Sequence, residues 1–200
     1  MPTFLHVGCG HFTKTNTTRG FRDGNWSELR FDIDPTVEPD LLGTMTDMSA
    51  VSDASVDAIY SAHNIEHLYA HEVPVALAEF RRVLRDDGFV VIVCPDLQSV
   101  CALVAEDRLE EPAYMSGMGP ISPIDILYGH RPPMAAGNLF MAHRFGFTLR
   151  TLQAALSSAG FASFAGFRNM PGFELWALAT VGTTEGPSLE KMALEHFPLP

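Results

Sequence analysis

Apolar positions in this chain fall into short runs whose internal spacing changes from one run to the next. Thr3-Phe4-Leu5-His6-Val7 reads as a buried strand, and Leu29-Arg30-Phe31 as a second. Val56-Asp57-Ala58-Ile59-Tyr60-Ser61 reads as another short strand. Phe89-Val90-Val91-Ile92-Val93-Cys94 is apolar without interruption, as a central strand covered on both faces must be. Between these two, Val73, Ala76, Leu77, Phe80, Val83 and Leu84 recur at three and four, which predicts a helix over 72–85. Pro74 is tolerated in its first turn, and Asp86-Asp87-Gly88 ends it, with the glycine expected in a left-handed turn. Thr148 reads as the N-cap of a helix over 149–159 that Gly160 stops. Two last strands, near 162–168 and 173–181, are joined through Asn169-Met170-Pro171-Gly172, short enough for an antiparallel hairpin. Strands alternating with helical segments imply an α/β three-layer sandwich built on a mostly parallel sheet.

Two stretches break the pattern. From 100 to 144 a short helix is expected over 100–108, followed by prolines 112, 120, 123, 132 and 133 among glycines and methionines. A stretch this long without clear periodicity reads as a lid or binding loop, with a dimer arm or irregular flap as the alternative. After Gly182, Leu189, Met192, Ala193 and Phe197 have a brief helical spacing, so the tail 183–200 either docks or frays. The expected organisation is one domain over 1–182, carrying the 100–144 insertion, plus this tail.

A net charge of −11 argues against a broad nucleic-acid or membrane surface. Lys14, Arg19, Arg22 and Arg30 lie close together and read as a solvated loop. The three cysteines, at 9, 94 and 101, have no metal-ligand spacing, and their odd count speaks against a disulfide framework. No apolar run reaches the ~20 residues of a membrane span. The start lacks a basic-then-apolar leader, so a cytoplasmic setting is the default expectation.

The first strand runs into Gly8-Cys9-Gly10, and the second ends on Asp32, about twenty residues later. A strand ending in G-x-G lets a small cofactor touch backbone, and a carboxylate at the next strand end can accept two ribose hydroxyls. NAD and S-adenosylmethionine both suit this pairing. A dinucleotide site would want a third glycine at position 13 and a helix N-terminus for the pyrophosphate. Position 13 is Thr, and 11–25 has no helical apolar period, which favours the phosphate-free S-adenosylmethionine.

With these segments placed, the chain resembles a class I S-adenosylmethionine-dependent methyltransferase of the compact bacterial type-11-like subgroup. The resemblance is carried by Val7-Gly8-Cys9-Gly10, Asp32, Asp47-Met48, Ile65-Glu66-His67-Leu68, Arg82-Val83-Leu84-Arg85-Asp86-Asp87-Gly88 and Ala159-Gly160-Phe161. It implies a Rossmann-like seven-stranded sheet whose last strand is antiparallel, with cofactor over the ends of the first, second and fourth strands. Gly8, Cys9 and Gly10 would meet the methionine part, and Asp32, followed by Ile33, the ribose. Asp47 would take the adenine amino group with Met48 beside the ring, and Ser61, Ala62 and His63 would line the sulfonium side. Asp34 is the alternative to Asp32. The shortened first helix and the lack of helices before the first strand depart from larger members. The subgroup is often associated with surface-glycan biosynthesis, an analogy that fixes no substrate. The reading of the chain as a whole is a small-molecule or glycan acceptor, with a homodimer as a further expectation.

Other motifs bear on catalysis. His63-Asn64-Ile65-Glu66-His67 matches H-x-x-E-H, but it follows a strand directly and lacks a third ligand, so no metal site is expected from it. Cys9 reads as a packing residue. Methyl transfer needs positioning and exclusion of water more than a catalytic motif, and a hydroxyl acceptor gains from a base that suits histidine. His143 ranks first as that base, then His130 and His67. A protein that keeps the fold without catalysis is the main alternative, and a nicotinamide-dependent oxidoreductase the next.

Overall fold

The computed structural model describes residues 1–198; Leu199 and Pro200, the end of the expected tail, lie outside the described residues. The elements run β1 (Thr3–Val7), α1 (Arg19–Asp23), β2 (Ser27–Asp32), β3 (Leu41–Leu42), β4 (Val56–Ala62), α2 (Val73–Val83) and β5 (Leu84–Pro95). Then follow α3 (Leu97–Ala105), β6 (Tyr114–Ser116), β7 (Gly119–Ile121), α4 (Pro123–Tyr128), α5 (Arg131–Ala135), α6 (Leu149–Ser158), β8 (Ser163–Asn169), β9 (Glu174–Thr180) and α7 (Gly186–His196). Seven strands form one sheet in the order β3-β2-β1-β4-β5-β9-β8. The pairings from β3 to β5 are parallel, and β9 runs antiparallel to both β5 and β8. The apolar runs predict this mostly parallel α/β sheet and its antiparallel C-terminal hairpin, and the family resemblance implies its Rossmann-like, seven-stranded form.

Alternate residues of the central strands feed two cores. On one face Leu5, Val7, Ile59, Val90 and Ile92 pack with Leu77 and Phe80 of α2 and Leu152 and Leu156 of α6. On the other, Phe4, Tyr60, Phe89 and Val91 meet Phe21 of α1, with Leu189 and Met192 of α7 against them. The tail therefore docks. With only five residues, α1 cannot cover that face, and α7 completes it. His196 ends α7 buried between the rings of Phe21 and Phe89, its Nδ1 2.7 Å from Thr18 Oγ1. Among the described residues no helix is long and apolar enough to cross a membrane.

Gly88 corrects one expectation. It is absent from the residues with positive φ, so it does not form a left-handed stop. Instead a Cβ there would stand 3.0 Å from the Asp57 carbonyl oxygen, and the glycine lets the start of β5 pass close to the strand beside it. Gly160, at φ +94, does adopt the expected left-handed form after α6.

The stretch 100–144 is a set of small elements rather than a bare loop. The β6–β7 hairpin and α4 close over a cluster of Val100, Ile121 and Ile126, joined by Tyr114 and Phe173. Its return is strapped to the residues just past β4. The Glu66 carbonyl accepts the Arg144 and Phe145 amides at 2.8 and 3.1 Å, and Arg144 Nη1 donates to the His67 carbonyl at 2.8 Å.

Candidate active site

The parallel strands bring the G-x-G turn and the acidic strand end together. β1 pairs with β2 so that Val7 faces Phe31, and the Gly8 amide donates to the Phe31 carbonyl at 2.8 Å. Asp32 is buried, with one carboxylate oxygen accepting the Gly10 amide at 2.7 Å and the other the Asp34 amide at 2.9 Å. A carboxylate has about four acceptor positions, so two remain for a ligand's hydroxyls. Asp34 is committed elsewhere: its carboxylate caps the next turn through the Thr36 amide and hydroxyl. Asp32, not Asp34, faces the turn.

The two glycines serve different ends. Gly8 has φ +67, and a Cβ there would fall 2.3 Å from Asn64 Nδ2, so its lost side chain makes room for Asn64. Gly10 has φ +52 and nothing within 4 Å of that position, which leaves the turn open to an incoming molecule. Cys9 is fully buried, and burial pushes its thiol up to about 11, as a packing role requires. The basic cluster is internal bracing more than a solvated loop. Arg30 donates to the carbonyls of Gly10, Phe12, Val37 and Glu38, and Lys14 Nζ to those of Gly24 and Trp26.

Past β3 the expectation fails in part. Asp47 is exposed and accepts the Ser49 amide. Met48 is fully buried in the core, its amide donating to Glu79 Oε2 at 2.7 Å and its carbonyl taken by Arg82 at 2.9 Å. Neither its side chain nor its amide is free to meet a ring. An apolar side chain at this loop gains about 1.5–3 kcal/mol by burial, and the Glu79–Arg82 pair on α2 fixes it there. After β3 the Gly43 amide donates to the Asp32 carbonyl at 2.9 Å.

Beyond β4 the chain supplies a cluster of titratable groups. Ser61 is fully buried beneath Asn64, and Ala62 lies half-buried at the strand end. His63 has φ +51 and turns its ring toward β9. There Nε2 lies 3.2 Å from Glu174 Oε1, and Nδ1 3.7 Å from Glu66 Oε1. Half of the His63 side chain faces open space, although protein surrounds the rest. Burial opposes its charge, but the two carboxylates outweigh that cost and raise its pKa to about 10. Glu174 is held by Asn169 and Trp176 as well as by His63. Glu66 is 1% exposed, and both of its carboxylate oxygens lack a hydrogen-bond partner. Burial disfavours its charge, yet His63, His67 and His143 keep the carboxyl below its ordinary range.

Of the three histidines expected as bases, His67 and His143 come together, their ring centroids 4.9 Å apart. His143 Nδ1 lies 2.7 Å from the Ile126 carbonyl, which fixes that nitrogen as the donor and leaves the Nε2 lone pair uncommitted. Burial holds His143 below the usual histidine range, so it is neutral at pH 7. It lines a pocket of about 210 Å³ with Pro95, Leu97, Tyr128 and Arg144. His130 is not part of this group; it borders a separate, open cavity with Asp125 and Arg131. Sequence reasoning missed Asn64, Glu174 and the Asp96–Arg168 pair. Asp96, buried just after β5, caps α3 by accepting from the Gln98 amide and accepts from Arg168 Nε at 2.8 Å. A small acidic residue followed by a helical run was its available signal.

Comparison with known proteins agrees with this architecture. Residues 5–92, from β1 to β5, match the family described as a methyltransferase domain. No curated protein matches. Among solved structures, an S-adenosylmethionine-dependent methyltransferase from Archaeoglobus fulgidus is 12% identical, with TM-score 0.57 over 89% of this chain and 85% of that one. A protein of Pyrococcus horikoshii is 13% identical, with TM-score 0.58 over 89% and 81%. The 1,6-didemethyltoxoflavin-N1-methyltransferase of Burkholderia thailandensis, solved with its substrate and S-adenosylhomocysteine, is 16% identical, with TM-score 0.54 over 89% and 70%. At these identities the likeness is one of fold. With the family match over residues 5–92 it supports a class I S-adenosylmethionine-dependent methyltransferase, an enzyme that takes S-adenosylmethionine as its cofactor.

Proposed function

We propose that the enzyme methylates a small-molecule or glycan acceptor held beneath the 100–144 insertion, which acts as a lid. The observation that carries this reading is that two spaces open at the same, C-terminal ends of the parallel strands, one at β1 and β2 and the other at β5, with β4 between them. One is the open approach over Gly10 beside Asp32 and the half-exposed Ile33. The other is the pocket that body residues Pro95 and Leu97 share with insertion residues Tyr128 and His143.

When bound, S-adenosylmethionine supplies a methyl group on a sulfonium, already activated for in-line displacement. Gly8, Cys9 and Gly10 would present backbone to its methionine part, and Asp32 would accept from its ribose through the lone pairs not used by Gly10 and Asp34. The half-exposed Ile33 and the exposed Asp47 carboxylate would be the groups available to the adenine, with Met48 supporting that loop from the core. Ala62 and His63, at the end of β4, would stand between the two spaces, with Ser61 buried behind Asn64. His143, neutral and with a free Nε2 lone pair, is the group assigned to activating the acceptor, and His67 packs against it.

Transfer of labelled methyl from S-adenosylmethionine to a panel of hydroxyl- and amine-bearing small molecules and saccharides tests this reading. Turnover with at least one acceptor is expected, with His143→Ala reducing it by roughly 10²–10⁴-fold and His130→Ala changing it little. Turnover that is indifferent to His143 overturns the assignment.

A further inference from the structure

We propose that Glu66, His67 and His143 form a binding site for a divalent transition-metal ion of the zinc type. One oxygen of Glu66 and one ring nitrogen of each histidine lie within 4.8 Å of one another. Ligand atoms at about 2.0–2.2 Å from a tetrahedral zinc ion stand about 3.4 Å apart, so a contraction of up to about 1.4 Å closes the set.

Three independent features of the residues point the same way. The first is the Glu66 carboxylate, almost wholly buried with neither oxygen hydrogen-bonded. A buried carboxylate without donors is costly, and a protonated one would still lack an acceptor for its proton. His63 Nδ1 stands at 3.7 Å, beyond a hydrogen bond, and is shared with Glu174. His63 offsets part of the Glu66 charge from that distance, but only a metal ion would bond directly to its oxygens.

The second is the orientation of the histidines. A metal-binding imidazole presents one nitrogen to the ion and donates from the other, often to a backbone carbonyl. His143 has that arrangement, with Nδ1 on the Ile126 carbonyl and Nε2 uncommitted. In His67 both nitrogens face carbonyl oxygens, Nδ1 that of Ala142 at 3.1 Å and Nε2 that of His63 at 3.2 Å. A neutral ring can donate to only one of these, so the other nitrogen is released for the ion at no loss of a hydrogen bond.

The third is chain geometry. Glu66 and His67 are adjacent in the turn after β4, while His143 comes from the return of the insertion. Backbone bonds from Arg144 and Phe145 to the Glu66 carbonyl clamp the two segments together independently of any ion. Two imidazoles and one carboxylate suit zinc, iron(II) or nickel(II) better than magnesium or calcium, which prefer all-oxygen shells. The set also differs from the one H-x-x-E-H suggests: His63 is engaged by Glu174, and the third ligand lies 76 residues beyond His67 in the sequence. The site rests on side-chain placement alone and stands whether or not the acceptor reading is correct. An ion on His143 Nε2 would take the lone pair assigned above to activating the acceptor and would replace that role, since in the same pocket it would meet an acceptor hydroxyl and ease its loss of a proton to solvent.

The test is calorimetric titration of the chelator-stripped full chain with zinc chloride, alongside the visible spectrum of the cobalt(II)-loaded protein. One equivalent should bind with micromolar or tighter affinity, and His143→Ala and Glu66→Gln should each weaken it by on the order of 100-fold. His71→Ala, outside the cluster, should bind as the parent does. S-Adenosylhomocysteine titration of the same samples shows that each variant is folded and separates failure of the metal site from failure of the cofactor site. Should Glu66→Gln not fold, His143→Ala, on the insertion rather than in the main core, carries the test. Absence of binding at about 100 µM zinc, or one-equivalent binding that survives loss of His143, overturns the proposal.

Discussion

Acid should loosen this protein through His196, and the size of the effect follows from where the ring sits. It is 4% exposed, between Phe21 and Phe89, and burial lowers its pKa from 6.5 to about 4. The folded state therefore keeps His196 neutral while the unfolded chain takes up a proton below pH 6.5. A depressed histidine pKa gives stability that is present above 6.5 and is lost as pH falls toward 4. The full loss is about 3 kcal/mol, of which about 2 kcal/mol falls between pH 7 and 5. His63, with its raised pKa, has the opposite sign. It favours the folded state below 6.5 and loses that contribution as pH rises toward 10, so the parent's own pH profile mixes the two. His196→Asn isolates the effect, because Asn keeps a hydrogen-bonding atom near Nδ1 for Thr18 and does not titrate. Urea unfolding at pH 7, 6 and 5 should show the variant less stable at pH 7, with the gap to the parent narrowing by about 2 kcal/mol at pH 5. A gap that stays constant across that range refutes the claim that His196 is buried neutral beneath α7.

Three further outcomes follow from the same geometry. In the native protein a thiol reagent should modify only the exposed Cys101, since Cys9 and Cys94 are buried and burial raises both thiols; fast labelling of two or three cysteines would contradict this. Gly8→Ala should destabilise by about 1–3 kcal/mol through its positive φ and its clash with Asn64, and adding Asn64→Ala should restore part of the loss; strict additivity in urea melts would rule out the clash. Glu174→Gln should lower the His63 pKa from about 10 toward its ordinary value, read from the ring-proton NMR shifts; an unchanged titration would show that Glu174 does not hold the charge.

Most of the sheet was legible because its strands are buried on both faces and so must be written as apolar runs. The 72–85 and 149–159 helices were legible because each exposes one side and keeps an apolar stripe on the other. The 100–144 stretch resisted because its small helices and hairpin are set by contacts with Val100, Ile121, Ile126 and Phe173, not by any period of their own. The Gly8–Gly10 turn and Asp32 could be placed from sequence, since a strand end and a glycine pair locate them locally. Met48 could not, because whether an apolar residue after a strand faces a ring or the core depends on Glu79 and Arg82 of a later helix. Nor could the meeting of Glu66 with His143, which depends on how the insertion returns across the end of β4.

The central claim is tested most directly by titrating the full chain with S-adenosylhomocysteine, with NAD and the Asp32→Ala variant as controls. Micromolar binding of S-adenosylhomocysteine, no binding of NAD and a loss of about 10- to 100-fold in the variant are expected, the loss that removing hydrogen bonds to a charged group produces. Binding of NAD in its place, or S-adenosylhomocysteine affinity indifferent to Asp32, would contradict the account.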